Sequence, residues 1–191
     1  SGQVARAFYV ATAQALSLIA LLLTTRRPDN RVSWLLGGSA ALVAVFVACG
    51  AYADLALVER PGSVPGGLAA AWVDNWAWLP TLAVPLATLL LLVPDGRLPS
   101  RRWRPVAMTI AAGTVVGSFA VGGSASFDLG ARDSAGGVRE HVTVANPLAY
   151  DGPVADAAFV VAAALLLVGF TVALVGFGRR YRRSSGDERQ Q

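Results

Sequence analysis

Long apolar runs that carry almost no charge dominate the chain, over residues 8–25, 33–57, 76–93, 106–121 and 154–177. A helix rises about 1.5 Å per residue, so about 20 residues cross a hydrocarbon core about 30 Å thick. The second and fifth runs exceed that length, and the fourth is the shortest. Hydrocarbon offers backbone amides no water, and none of the runs alternates as a membrane-barrel strand does, so all are read as helices. The expected fold is all-α: a polytopic transmembrane bundle of about five spans, with outer loops over 58–75 and 122–153.

Composition agrees, because 54% hydrophobic and 15% charged residues in 191 make the chain too apolar for an ordinary soluble domain. Every basic residue is arginine, and most gather in three clusters: Arg26, Arg27 and Arg31; Arg97, Arg101, Arg102 and Arg104; Arg179, Arg180, Arg182 and Arg183. Carrying a guanidinium through hydrocarbon costs roughly 2.5 to 3.5 kcal/mol on insertion scales, so such loops stay on the cytoplasmic side. Threading the runs through this rule puts all three clusters and the C-terminus inside, which leaves Arg6, Arg60, Arg132 and Arg139 scattered outside. The expected location is the bacterial plasma membrane. The net charge of +4 does not point to nucleic acid, because the arginines flank apolar runs and form no stripe with interleaved aromatics.

Trp72-Val73-Asp74-Asn75-Trp76-Ala77-Trp78 places three indoles and two polar side chains at the outer end of the third run. Indoles favour the headgroup boundary, so Trp72, Trp76 and Trp78 form an anchoring belt on one reading. On the sharper reading they line an outward pocket in which Asp74 or Asn75 orients a ligand, with Asp54 and Asp156 as further candidates. Pro80 and Pro85 fall within the third run and predict a kink or a locally opened backbone. The segment Gly122 to Gly152 is long for a structureless connection, and only His141 to Val144 looks extended.

Pro94-Asp95-Gly96 is turn chemistry, since proline presets the first corner and glycine accepts positive φ at the next. The third helix should end there, with Arg101, Arg102 and Arg104 beside Trp103 at lipid-phosphate depth. His141, the sole histidine, has no companions at metal-ligand spacing, and Cys49, the sole cysteine, reads as a small buried side chain. No phosphate loop, nucleophile with base, or hydrolase-type carboxylate pair is found, so this stretch reads as non-catalytic, without metal or cofactor. Ser1-Gly2-Gln3 lacks the charged start of a signal peptide.

Arg26-Arg-Pro-Asp-Asn-Arg-Val-Ser-Trp-Leu-Leu36 and Val93-Pro-Asp-Gly-Arg-Leu-Pro-Ser-Arg-Arg-Trp-Arg104 resemble the inner loops of the multi-span sensor region of actinobacterial histidine kinases. The first departs from the family pattern at Arg31 and Ser33, where Pro and Gly are usual. Arg179-Arg-Tyr-Arg-Arg-Ser-Ser-Gly-Asp-Glu-Arg-Gln-Gln191 is similar to the junction where those proteins leave the membrane and enter a signalling helix. The resemblance implies a sensor domain over 1–178 and a basic juxtamembrane helix start over 179–191. It further implies a membrane helix upstream, and downstream a homodimeric kinase module using ATP and Mg and passing phosphate to a response regulator. Gly169, Gly176 and Gly178 would allow close helix approach in the fifth span. The competing classes are a small transporter or channel and a structural membrane subunit; the span centres hold almost no ionisable residue and no matched pair of broken helices, which counts against transport.

Overall fold

Each apolar run forms a helix in the computed structural model, which describes residues 2–26, 31–93, 96–132, 138–150 and 152–187. Helix α1 spans Gly2–Arg26, α2 Arg31–Asp54, α3 Gly67–Leu92, α4 Arg104–Gly122 and α5 Pro153–Asp187. A π turn, Leu55–Glu59, prolongs α2, and a 3-10 turn, Arg101–Trp103, leads into α4. Helices adjacent in sequence pack on one another in order, and α5 also touches α3.

Burial follows helical faces. In α2, Val32, Leu36, Ala40 and Val43 are buried at spacings of one helical face, whereas Trp34 points outward. Trp34, Met108, Phe119 and Leu167 are each at least 70% exposed. Helices apolar all round are either core or membrane helices, and these are not in the core. Four segments, Val32–Glu59, Gly67–Leu92, Arg101–Gly122 and Pro153–Arg180, are long and apolar enough to cross a membrane, which marks a membrane protein. In α1 the apolar stretch, Val10–Arg26, is shorter.

Hydroxyls inside the apolar helices answer to their own backbone. Thr24, Ser39, Thr88 and Thr114 each donate to the carbonyl four residues back, at 2.7, 2.7, 2.8 and 2.8 Å. That removes an unpaired polar group from a medium with no water to satisfy it.

Three features refine the expectation. Helix α3 begins at Gly67, ahead of Trp76, because Trp72 and Asn75 find partners on α4 and their polar atoms need no water. Pro80 and Pro85 lie inside α3 without interrupting it. The connection between α4 and α5 carries an antiparallel hairpin, β1 Ser126–Arg132 and β2 Val138–Ala145, in a bundle otherwise all helix among the described residues. Its register pairs Phe127 with Val144 and Leu129 with Val142. Phe127 and Leu129 are buried against Ala53 and Ala71, while Asp128 between them is exposed, the period-two pattern of a half-buried strand. Burying a phenylalanine or leucine is worth about 1.5 to 3 kcal/mol each, which fastens the hairpin to the ends of α2 and α3.

The opposite end holds the arginines. Val32 and Leu36 of α2 cluster with Leu16 and Ala20 of α1, and Leu92 and Val93 at the end of α3 pack against them. Leu90 and Leu91 of α3 meet Ile110 of α4 and Ala173 of α5, flanked by Trp103 and Phe177. Helix α3 ends at Leu92, just ahead of the Pro-Asp-Gly motif, of which Pro94 and Asp95 lie outside the described residues. Gly96 has φ of 70° and donates its N–H to the Leu92 carbonyl at 2.7 Å. The segments bearing the three arginine clusters therefore lie at one end of the bundle and the hairpin at the other.

Candidate functional site

At the hairpin end, the last carbonyls of α4 lack a following helical turn; Val121 accepts the Ser124 amide, and side chains supply further donors. The indole Nε1 of Trp72 donates to the Gly122 carbonyl at 2.9 Å. Asn75 Nδ2 donates to the Val121 carbonyl at 2.7 Å and to Ser124 Oγ at 3.0 Å. Asn146 Nδ2 donates to the Gly122 and Ser124 carbonyls at 3.0 and 2.7 Å, while its Oδ1 accepts from the Leu148 amide at 2.9 Å. Three polar side chains from two elements thus close one helix end.

Beside this cap lies a cavity of about 530 Å3 with walls from Trp72, Trp76, Pro80, Ser118, Phe119 and Tyr150. Trp72 and Trp76 meet edge to face, with centroids 5.6 Å apart and planes at 65°. Tyr150 lies against Gly123, where any Cβ would collide with its ring, and 5.6 Å from the Phe119 centroid. Burial there pushes the Tyr150 phenol above its usual range.

A second cavity, about 450 Å3, continues between α3 and α4 toward the arginine end. Pro80, Thr114 and Val115 line both, so the two form one apolar groove with Pro80 at its waist. Among the described residues, Trp76 Nε1 is the buried side-chain nitrogen or oxygen that lacks a hydrogen-bond partner. An unmade buried hydrogen bond carries a desolvation penalty of about 1 to 3 kcal/mol. The lining of the groove is almost wholly apolar, which suits it to a largely apolar molecule.

Of the ligand-binding candidates read from the sequence, Trp72 and Trp76 line this pocket, joined by Pro80, and Asp54, Asp74, Asn75, Trp78 and Asp156 do not. Asn75 is committed to capping α4. The Asp74 carboxylate lies against Gly50 of α2, and Asp54 is buried at the end of α2. Trp78 faces outward at 37% exposure, near the middle of α3. Asp156 is exposed in the first turn of α5, where a carboxylate complements the helix dipole. His141 lies in β2 opposite Gly130.

Among the arginines, Arg26 ends α1 and is exposed, as are Arg97, Arg101, Arg102, Arg104, Arg179 and Arg182. Arg31 opens α2 and Arg183 lies near the end of α5, whereas Arg27 lies outside the described residues. Arg180 is half-buried: it donates to the Leu90 carbonyl, and its guanidinium carbon lies 5.7 Å from the Trp103 ring and 5.8 Å from the Phe177 ring.

Gly169 and Gly176 do permit close approach. A Cβ on Gly169 would fall 2.6 Å from Ile110 Cγ1, and one on Gly176 would overlap the Trp103 ring. Gly178 has open space around it. No protein-family model, curated protein or solved structure matches the chain.

Sequence reasoning missed Tyr150, Phe119 and Asn146. Asn146-Pro147 is a turn signal that could have placed the chain reversal after the hairpin. Tyr150 and Phe119 carry no local signal, because their meeting depends on how the connection folds back over α4.

Proposed function

We propose that this chain is the membrane-embedded signal-input domain of a sensor histidine kinase in a bacterial plasma membrane. The observation that carries the reading is α5, an unbroken helix of 35 residues from the outer pocket to beyond the arginine cluster. Tyr150 lines the pocket and precedes Pro153, the first residue of α5, by three positions, so occupancy bears on the start of that helix. The shared bundle end of the three arginine clusters supports five crossings with a cytoplasmic C-terminus.

An apolar or amphiphilic ligand in the α3/α4 groove would favour one packing of α5 over another. Only a ligand that binds the two packings with different affinity shifts the balance. The shift would pass to a dimeric kinase module that uses ATP and Mg and hands phosphate to a response regulator. The resemblance of 26–36, 93–104 and 179–191 to the family supports that part.

The coding sequence that continues past Gln191 tests the reading. A dimerising helical pair with a phosphoacceptor histidine and an ATP-binding domain is expected, and a different continuation overturns it. In the full-length protein, Gly169→Leu combined with Gly176→Leu should alter autophosphorylation, and an unchanged response across stimuli would count against signalling through α5.

A further inference from the structure

At the arginine end, a cavity of about 730 Å3 opens between the turn leading into α4 and the inner part of α5. Arg102, Arg179 and Arg180 line it. Arg180 is held in place by the Leu90 carbonyl and the faces of Trp103 and Phe177, which engage one of its five N–H donors. Arg102 and Arg179 are exposed. No acidic side chain lines the cavity among the described residues.

The rest of the wall is different in kind. Val172 and Val175, 43% and 51% exposed, continue from the arginines along the outward face of α5. Trp103 lines the same cavity beside the arginines, and an indole favours the headgroup boundary. A cationic mouth above an apolar strip fits a molecule that is anionic at one end and aliphatic along its length.

We propose that this cavity binds an anionic phospholipid, with its phosphate held by Arg102, Arg179 and Arg180 and its first methylenes against Val172 and Val175. Guanidinium forks match phosphate oxygens in paired hydrogen bonds, and basic pockets between membrane helices collect such headgroups. A free phosphate would use the arginines but leave the valine strip uncovered, which favours the lipid. The bound lipid joins the turn before α4 to the end of α5. The proposal needs only the membrane setting, so it stands or falls separately from the kinase reading.

Tryptophan quenching by dibrominated lipids in reconstituted vesicles tests it, with the full chain and its Trp103→Phe variant isolating the signal of Trp103. Dibromo-phosphatidylglycerol should quench Trp103 more strongly than dibromo-phosphatidylcholine at equal mole fraction. Arg102→Gln with Arg179→Gln should weaken that preference by about fivefold for each arginine removed, and the two Lys replacements should keep most of it. Equal quenching of the native chain by both lipids overturns the proposal, and this comparison needs no variant to fold. Millimolar inorganic phosphate should leave the phosphatidylglycerol signal in place; complete displacement would identify a free-anion site and overturn the lipid assignment.

Discussion

Arg180 of α5 donates a hydrogen bond to the backbone carbonyl of Leu90 in α3, ninety positions away in the chain. A continuing helix would pair that carbonyl with the amide of residue 94, but Pro94 has no N–H to give. The guanidinium supplies the missing donor and crosses from one helix to another in doing so. Proline stops α3, and arginine answers the carbonyl it leaves behind.

Replacing Arg180 with Met should therefore destabilise the bundle by about 1 to 3 kcal/mol, the cost of a buried acceptor left unpaired. Arg180→Lys should recover part of the loss, since an ammonium can still donate but matches neither the reach nor the stacking on Trp103. Unfolding by SDS titration in mixed micelles gives both values.

Gly176 and Gly178 should respond in opposite directions. Gly176→Ala pushes a methyl group into the Trp103 ring and should cost about 1 to 3 kcal/mol through overpacking. Gly178→Ala meets open space in a helix interior and should be neutral or stabilising by up to about 1 kcal/mol. The same unfolding titration compares them directly.

Two indoles of the outer pocket should also separate. Trp72→Phe loses the bond to the Gly122 carbonyl and should destabilise by about 1 kcal/mol. Trp76→Phe removes an N–H that has no partner, so the ligand-free protein should keep or slightly gain stability. If both variants lost stability equally, the assignment of Trp76 as the unused donor would fail.

Asn146→Ala should release the hairpin. The side chain's two donor bonds, to the Gly122 and Ser124 carbonyls, fasten the end of β2 to the end of α4, and its oxygen holds the local turn by accepting from Leu148. Faster hydrogen exchange in 126–132 and 138–145, with α4 and α5 protected as before, is the expected result.

Tyr150 predicts a loss of stability at high pH. Its folded-state pKa is raised by burial, so the unfolded chain releases the proton first. The stability is present below the ordinary tyrosine range, near 10, and falls as pH rises from there through the folded value. Tyr150→Phe should flatten that decline, followed by phenolate absorbance alongside unfolding.

The apolar runs and the end of α3 were legible because each is a local cause with a local effect: length and lack of charge make a helix, and a proline two residues past Leu92 cannot continue it. The start of α3 was not, since Asp74 and Asn75 look like a boundary until Val121 and Ser124 are seen to receive the amide. Of the hairpin, the extended look of His141 to Val144 lies within β2, whereas β1 hid for a similar reason. Ser126–Arg132 is short and small, and Phe127 and Leu129 reveal their alternation only once Ala53 and Ala71 lie beneath them. In the pocket, tryptophans announced themselves by type, whereas Asn146 and Tyr150 gained their positions from the reversal that follows β2.

Thirty-five residues of uninterrupted helix make α5 a rod about 52 Å long, roughly 20 Å more than a hydrocarbon layer can enclose. Were the proposed signalling to hold, a twist applied near Pro153 would travel along that rod toward Asp187, and the Arg180 bond to Leu90 would tie the rod to α3 on the way.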